Sequence, residues 1–276
     1  MCQGDGMAIH LTPVDAIEKA DWFVSALSDD YTVDGLVPRH FPAFARILHP
    51  AHDPLDERPV PWSEVAEAEG MTLHPHAAFD ALIRHKSAQR TRWDIGDPEV
   101  ATLDDKRLAI LAEILAKHTT TPDAVWLNVW DGFGGTPESW RGHSRVVQGC
   151  GYREYYLFTC ALDQIVDVSA GFSRWPPEED DDNNDESSLV VTAEYVGEGE
   201  PPEDPPLHPD APEHSIQSPQ QWWPDDHAWA VATEVDDEYT VVAGSESLIE
   251  AVLAHPGLET FRVGPRDSWE DTINTA

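Results

Sequence analysis

A chain of 276 residues can bury a substantial core as one large domain, and its 11 tryptophans exclude general disorder. Its 52 acidic residues outnumber 17 basic ones, and the resulting net charge of −35 repels nucleic-acid phosphate and anionic lipid, which excludes both as expected partners. Cys2, Cys150 and Cys160 are sparse, odd in number and without a C-x-x-C pair, a pattern of the reducing cytoplasm rather than of a disulfide scaffold.

The predicted elements begin with a helix over 13–27. Thr12-Pro13-Val14-Asp15 supplies its cap and first turn, and Val14, Ile17, Val24 and Leu27 supply its apolar stripe. A strand over 43–48 follows, placed at a sheet edge because Pro42 lacks a ladder donor and Pro50 ends the run. Helices are predicted over 62–69, stopped by Gly70, and over 75–85, with Phe79, Leu82 and Ile83 inward. The clearest helix covers 103–118, with Thr102 as cap and Leu108, Leu111, Ile114 and Leu115 at helical spacing.

Val125 to Asp131 alternates as a strand does and runs into the glycine-rich turn Asp131-Gly132-Phe133-Gly134-Gly135. Residues 136–147 read as a loop, and 154–162 as a central strand apolar on both faces. Ile165 to Val168 opens a short element. From Pro176 to His214 there are 14 acidic residues and no Lys or Arg, together with the pairs Pro201-Pro202 and Pro205-Pro206. Such a segment is expected to be a solvated, mobile insertion, with Leu189 to Val196 as a strand inside it. A hairpin of strands 228–235 and 239–243 comes next, then a helix over 245–254 capped by Ser245, and a last strand over 258–263. The alternation of Trp229, Val231, Thr233 and Val235 with Ala228, Ala230 and Ala232 predicts a small-residue face against which the 245–254 helix packs. The whole reads as a single α+β domain over 1–276, a mostly antiparallel sheet with helices packed on it, interrupted by the acidic insertion over 176–214. No leader segment and no apolar run of membrane-spanning length stand in the sequence.

Several stretches resemble a family of uncharacterised actinobacterial proteins. They are Phe41-Pro42-Ala43-Phe44-Ala45-Arg46-Ile47-Leu48-His49-Pro50-Ala51, Trp126 to Gly132 with its Trp130-Asp131-Gly132 step, and Gln217-Ser218-Pro219 through Trp222-Trp223-Pro224-Asp225-Asp226-His227-Ala228-Trp229 to Glu234. The resemblance spans most of the chain outside the acidic insertion. It implies a high-GC bacterial source, in keeping with 13 arginines against four lysines. It brings no assigned activity and no catalytic residues.

Candidate chemistry is thin. His49 and His52, and His74 and His76, place imidazoles close together, as a zinc site requires, but no H-E-x-x-H is present and a proline lies inside each pair. The glycines after Asp131 lack the Lys and Ser/Thr of a P-loop. Cys150 and Cys160 have no local nucleophile signature, and no serine stands in a G-x-S-x-G elbow. Asp225 and Asp226 beside Trp222 and Trp223 suit a sugar or cation site, against the competing reading that the tryptophans are core and the acids hold a turn. The expectation is therefore a non-enzymatic cytoplasmic protein without a cofactor, acting through protein–protein interaction with a basic partner in an immunity-like or regulatory role. The alternatives are a metal-assisted hydrolase using His49/His52 and His74/His76, and a nucleic-acid mimic.

Overall fold

Alternation along the strands decides the architecture. On β1 (Ala43–Leu48), Ala43, Ala45 and Ile47 join one apolar cluster, Phe44 and Leu48 join another, and all six residues of the strand are buried. A strand buried on both faces needs a covering layer on each side. The computed structural model describes residues 12–53, 58–83, 96–133, 138–148, 153–173 and 218–268, and supplies both layers.

The remaining strands are β2 (Ala51–His52), β3 (Pro59–Val60), β4 (Val125–Trp130), β5 (Arg145–Gln148), β6 (Arg153–Cys160), β7 (Gln221–Pro224), β8 (Ala230–Ala232), β9 (Tyr239–Gly244) and β10 (Glu259–Val263). Eight of them form one antiparallel sheet in the order β10-β1-β9-β8-β7-β4-β6-β5, while β2 and β3 pair separately. The helices are α1 (Asp21–Val24), α2 (Val33–Leu36), α3 (Trp62–Glu69), α4 (Phe79–Ile83), α5 (Asp105–Leu115), α6 (Ile165–Ser173) and α7 (Glu246–Leu253). One face of the sheet packs Leu127, Phe158, Trp222 and Val231 against α5, α6 and α7. The other packs Leu157, Trp223, Val241 and Ala243 against α1 to α4, with Phe23, Trp62 and Phe79 as large anchors. The α+β class and the mostly antiparallel sheet are as the sequence predicts. Among the described residues, no helix is long and apolar enough to cross a membrane.

Local signals hold at several boundaries. Gly70 ends α3 in the left-handed conformation (φ 69°), where a Cβ is disfavoured. Ser245 Oγ accepts from the Leu248 amide 3.2 Å away and starts α7. The amides of Trp62 and Ser63, which lack helical partners at the start of α3, donate to the Glu259 carboxylate on β10 at 2.6 and 2.9 Å.

Elsewhere the chain departs from expectation, each time for a tertiary reason. The 13–27 helix contracts to a 3₁₀ turn (Ile17–Ala20) and α1, and the chain before them is tied to the sheet, the Val14 amide donating to the Leu157 carbonyl on β6 at 2.7 Å. β1 is interior rather than an edge: Pro42 precedes the first ladder residue, so every amide from Ala43 on is free to pair with β9 or β10. Asp104, not Thr102, caps α5, accepting from the Arg107 amide at 3.2 Å. Arg145 to Gln148, placed within a loop, forms β5. Trp222 and Trp223 lie on a strand of their own, so the expected hairpin is a three-stranded meander, β7-β8-β9. Helix α7 packs on the face of Trp229 and Val231, whereas Ala230 and Ala232 face the α1–α4 layer. The predicted strand 189–196 lies outside the described residues.

Candidate functional site

The tryptophan strand puts its rings on opposite faces of the sheet, as a period of two demands. Trp222 meets Trp229 edge-to-face at 5.4 Å among the residues under α5–α7. Trp223 lies 5.0 Å from Phe23 and 6.1 Å from Trp22 in the opposite layer. Both indoles are buried, at 2% and 0% exposure, so neither offers a ring face to a ligand.

The acids that follow hold the β7–β8 turn from two sides. Asp225 Oδ1 accepts from Lys19 Nζ and from Trp126 Nε1, each at 3.0 Å, and these bonds hold its carboxyl below the usual range. Asp226 accepts from the Thr120 amide at 2.6 Å and from the hydroxyls of Thr119 and Thr120 at 2.8 and 2.7 Å. Its own amide donates back to Thr121 Oγ1 at 3.1 Å. Between these anchors His227 takes a positive φ of 54°, a costly conformation for a residue with a Cβ, and stacks on Trp22 at 4.0 Å. Lys19, Trp22 and Trp126 were not singled out in the sequence, because their partners lie some 100 to 200 residues away.

The histidines separate. His49 is fully buried with both ring nitrogens bonded: Nδ1 is 2.7 Å from the Glu99 carbonyl and Nε2 is 2.9 Å from Thr240 Oγ1. A carbonyl only accepts, so Nδ1 carries the proton and Nε2 accepts from the Thr240 hydroxyl, which in turn accepts from Thr233 at 2.8 Å. Burial pushes the His49 pKa down to about 4. His52, on β2, donates its backbone amide to the Gly96 carbonyl at 2.7 Å; a Cβ on Gly96 would overlap the His52 carbonyl. His74 and His76 have ring centroids 6.4 Å apart, and His76 Nε2 sits 3.0 Å from Asp267. Among the described residues, no group of three or more His, Cys, Asp or Glu stands close enough to hold a metal ion.

A strong electrostatic perturbation lies at Arg46, which carries no role in the sequence pattern. Arg46 is 1% exposed on β1, between the rings of Tyr239 (4.3 Å) and Trp62 (5.5 Å), and donates to the carbonyls of Pro75 and Ala77 at 3.1 and 2.8 Å. It ties the 74–77 segment to the sheet, and burial brings its pKa down to about 10. Nearby, burial raises Asp237 to about 7, with Glu234 and Glu238 adding like charge, while a hydrogen bond from Tyr239 opposes the shift. The signal in the sequence was a lone arginine between Ala45 and Ile47 in an otherwise apolar strand.

A second polar row lies on the same face. Asn128, fully buried, donates to Gln221 Oε1 at 2.9 Å, and Gln221 donates to Gln148 Oε1 at 2.5 Å. Gln221 is on β7 and Gln148 on β5, with β4 and β6 between them, so the sheet curls until its far strand reaches back over the face. Arg153 on β6 makes a similar span, meeting Glu234 at 2.6 Å and Asp236 at 3.0 Å.

The Cys160 thiol is not activated. Burial pushes the Cys160 thiol up to about 12, with Asp163 adding to the effect, so the sulfur stays protonated and inert. What the arrangement does chemically is neutralise its own cations. Lys19, Arg58, Arg107, Arg145, Arg153, Arg262 and Arg266 each pair with at least one carboxylate of the same chain. Comparisons of the chain with protein-family models, with curated proteins and with solved structures find no match.

Proposed function

We propose that this chain is a non-enzymatic cytoplasmic binding protein that engages a basic protein partner through its acidic surface, in an immunity-like or regulatory role. The observation that carries the reading is the distribution of charge. Seven basic side chains are paired with carboxylates of the same chain and Arg46 is buried, while the sequence carries 52 acidic residues against 17 basic, a net charge of −35. Such a field accelerates encounter with a cationic protein and rejects anionic ones. The raised Cys160 thiol and the engagement of both His49 ring nitrogens by Glu99 and Thr240 support binding over catalysis.

The test is capture from the native host's extract, followed by reconstitution with purified components. Support is a single stoichiometric partner with basic pI whose association rate falls steeply as salt rises. Uptake of one equivalent of Zn²⁺ that is lost in His74→Ala, together with hydrolytic turnover, would replace this reading with a metal-assisted hydrolase.

A further inference from the structure

Helix α5 packs against both α6 and α7, and on the α6 side the two helices leave a groove of about 300 Å³. Its floor is apolar: Ala109 and Ala112 on α5 and Ala116 in the 3₁₀ turn that continues it recur at helical spacing, opposite Leu162, just before α6, and Val166 on α6. Alanines at these positions keep the floor low enough for another helix to approach closely. The rim has the opposite character. Glu113 and Asp163 line the groove and are exposed, and Asp105 stands one turn before Ala109 on the same stripe. Partial desolvation at the start of α5, with Asp104 and Asp167 close by, raises the Asp105 carboxyl above its ordinary range, so like charges crowd this end. Of the cations on this stretch, Arg107 binds Asp104 at 2.9 Å, while Lys106 and Lys117 stand exposed, leaving the acids Asp104, Asp105, Glu113, Asp163 and Asp167 in excess.

We infer that the α5–α6 groove is the docking site for a basic amphipathic helix, whose small apolar face meets the alanine floor and whose Lys and Arg side chains meet the rim. The inference rests on the basic-partner reading and narrows it to one surface and one shape. Charge decides the occupant. A second copy of this chain would bring its own −35 against the same rim, and nucleic acid would bring phosphates. A helix suits the site because its ridge fits the channel between two packed helices, adding a third to the layer.

The test uses the full-length chain and a fluorescent synthetic peptide of about 18 residues, long enough to hold a helix, with an Ala/Leu stripe flanked by Lys and Arg. Binding is read by anisotropy. Two groove variants change exposed positions only: Ala116→Trp fills the floor, and Glu113→Lys with Asp163→Lys reverses the rim. A control reverses two exposed acids elsewhere, Glu18→Lys with Asp29→Lys, for the same change in net charge. In a fourth protein, residues 178–182 are changed to Gln and Asn. Circular dichroism checks that all remain folded. The inference expects wild type, the control and the 178–182 variant to bind alike, and both groove variants to weaken binding at least about tenfold. Equal weakening in the control and the rim variant overturns it. Loss of binding in the 178–182 variant with none in the groove variants also overturns it, but leaves the basic-partner reading intact. No binding by any protein, at low salt, overturns both.

Discussion

His49 gives the most decisive test of the fold's electrostatics. Replacing it with Leu removes the bond to the part-buried Glu99 carbonyl and leaves the buried Thr240 hydroxyl without its acceptor, which costs about 2–4 kcal/mol at neutral pH. The cost depends on pH in a definite direction. The folded ring has its pKa lowered from 6.5 to about 4, so the unfolded chain binds the extra proton first. The stabilisation is therefore complete above pH 6.5 and is lost as pH falls toward 4, by about 3 kcal/mol at about 1.36 kcal/mol per pH unit. The wild type should exceed His49→Leu by several kcal/mol at pH 7 and by almost nothing at pH 4; the titrations of all other groups cancel in this difference. Urea unfolding followed by tryptophan fluorescence at pH 7, 6, 5 and 4 measures it. Nitrogen NMR of the imidazole should report the Nδ1–H tautomer without titration above pH 5. A constant difference across the range, or a ring titrating at its ordinary value, would refute the argument.

Asp237 has the opposite sign. Its carboxyl is raised to about 7, so its contribution is complete below 3.8 and lost as pH rises through 7; Asp237→Asn should abolish that part of the decline in melting temperature between pH 5 and 8. Trp62→Phe and Trp223→Phe remove similar volume, but only Trp62 Nε1 has a partner, the His49 carbonyl at 2.6 Å. Chemical denaturation should find the Trp62 variant less stable than the Trp223 variant by about 1–2 kcal/mol, and equal losses would contradict the role of that bond. Ser245→Ala should cost about 1 kcal/mol through loss of the α7 cap, recoverable with Ser245→Asp.

What could be read from the sequence divides along physical lines. Elements set by local chemistry were legible: α3 with its Gly70 stop, α7 with its Ser245 cap, and the alternating β4. Elements set by distant partners were not. Arg145-Val146-Val147-Gln148 is a weak strand pattern that becomes β5 because β6 offers an edge, and the 13–27 stripe is helical only over Ile17–Val24, with Val14 tied to Leu157 on the sheet. Pro42 signalled an edge only if it lay inside the ladder, and it stops one residue short. At the Trp222–Asp226 stretch, sequence offered aromatic rings beside acids. Whether those rings faced a ligand or the core depended on both sheet faces being covered, which no local pattern states.

The position of β1 has a consequence for how this protein is made. Residues 43–48 acquire both neighbours, β9 and β10, only from residues 239–263, so two of the seven strand pairings in the sheet close across about 200 positions of chain. Closing such a span comes late and slowly in folding. On the ribosome, Phe44, Ile47 and Leu48 would leave the exit tunnel long before their partners exist, and a nascent chain stopped short of β9 would carry a permanently unpaired apolar strand. A truncation just before Tyr239 should therefore aggregate rather than persist as a smaller folded unit.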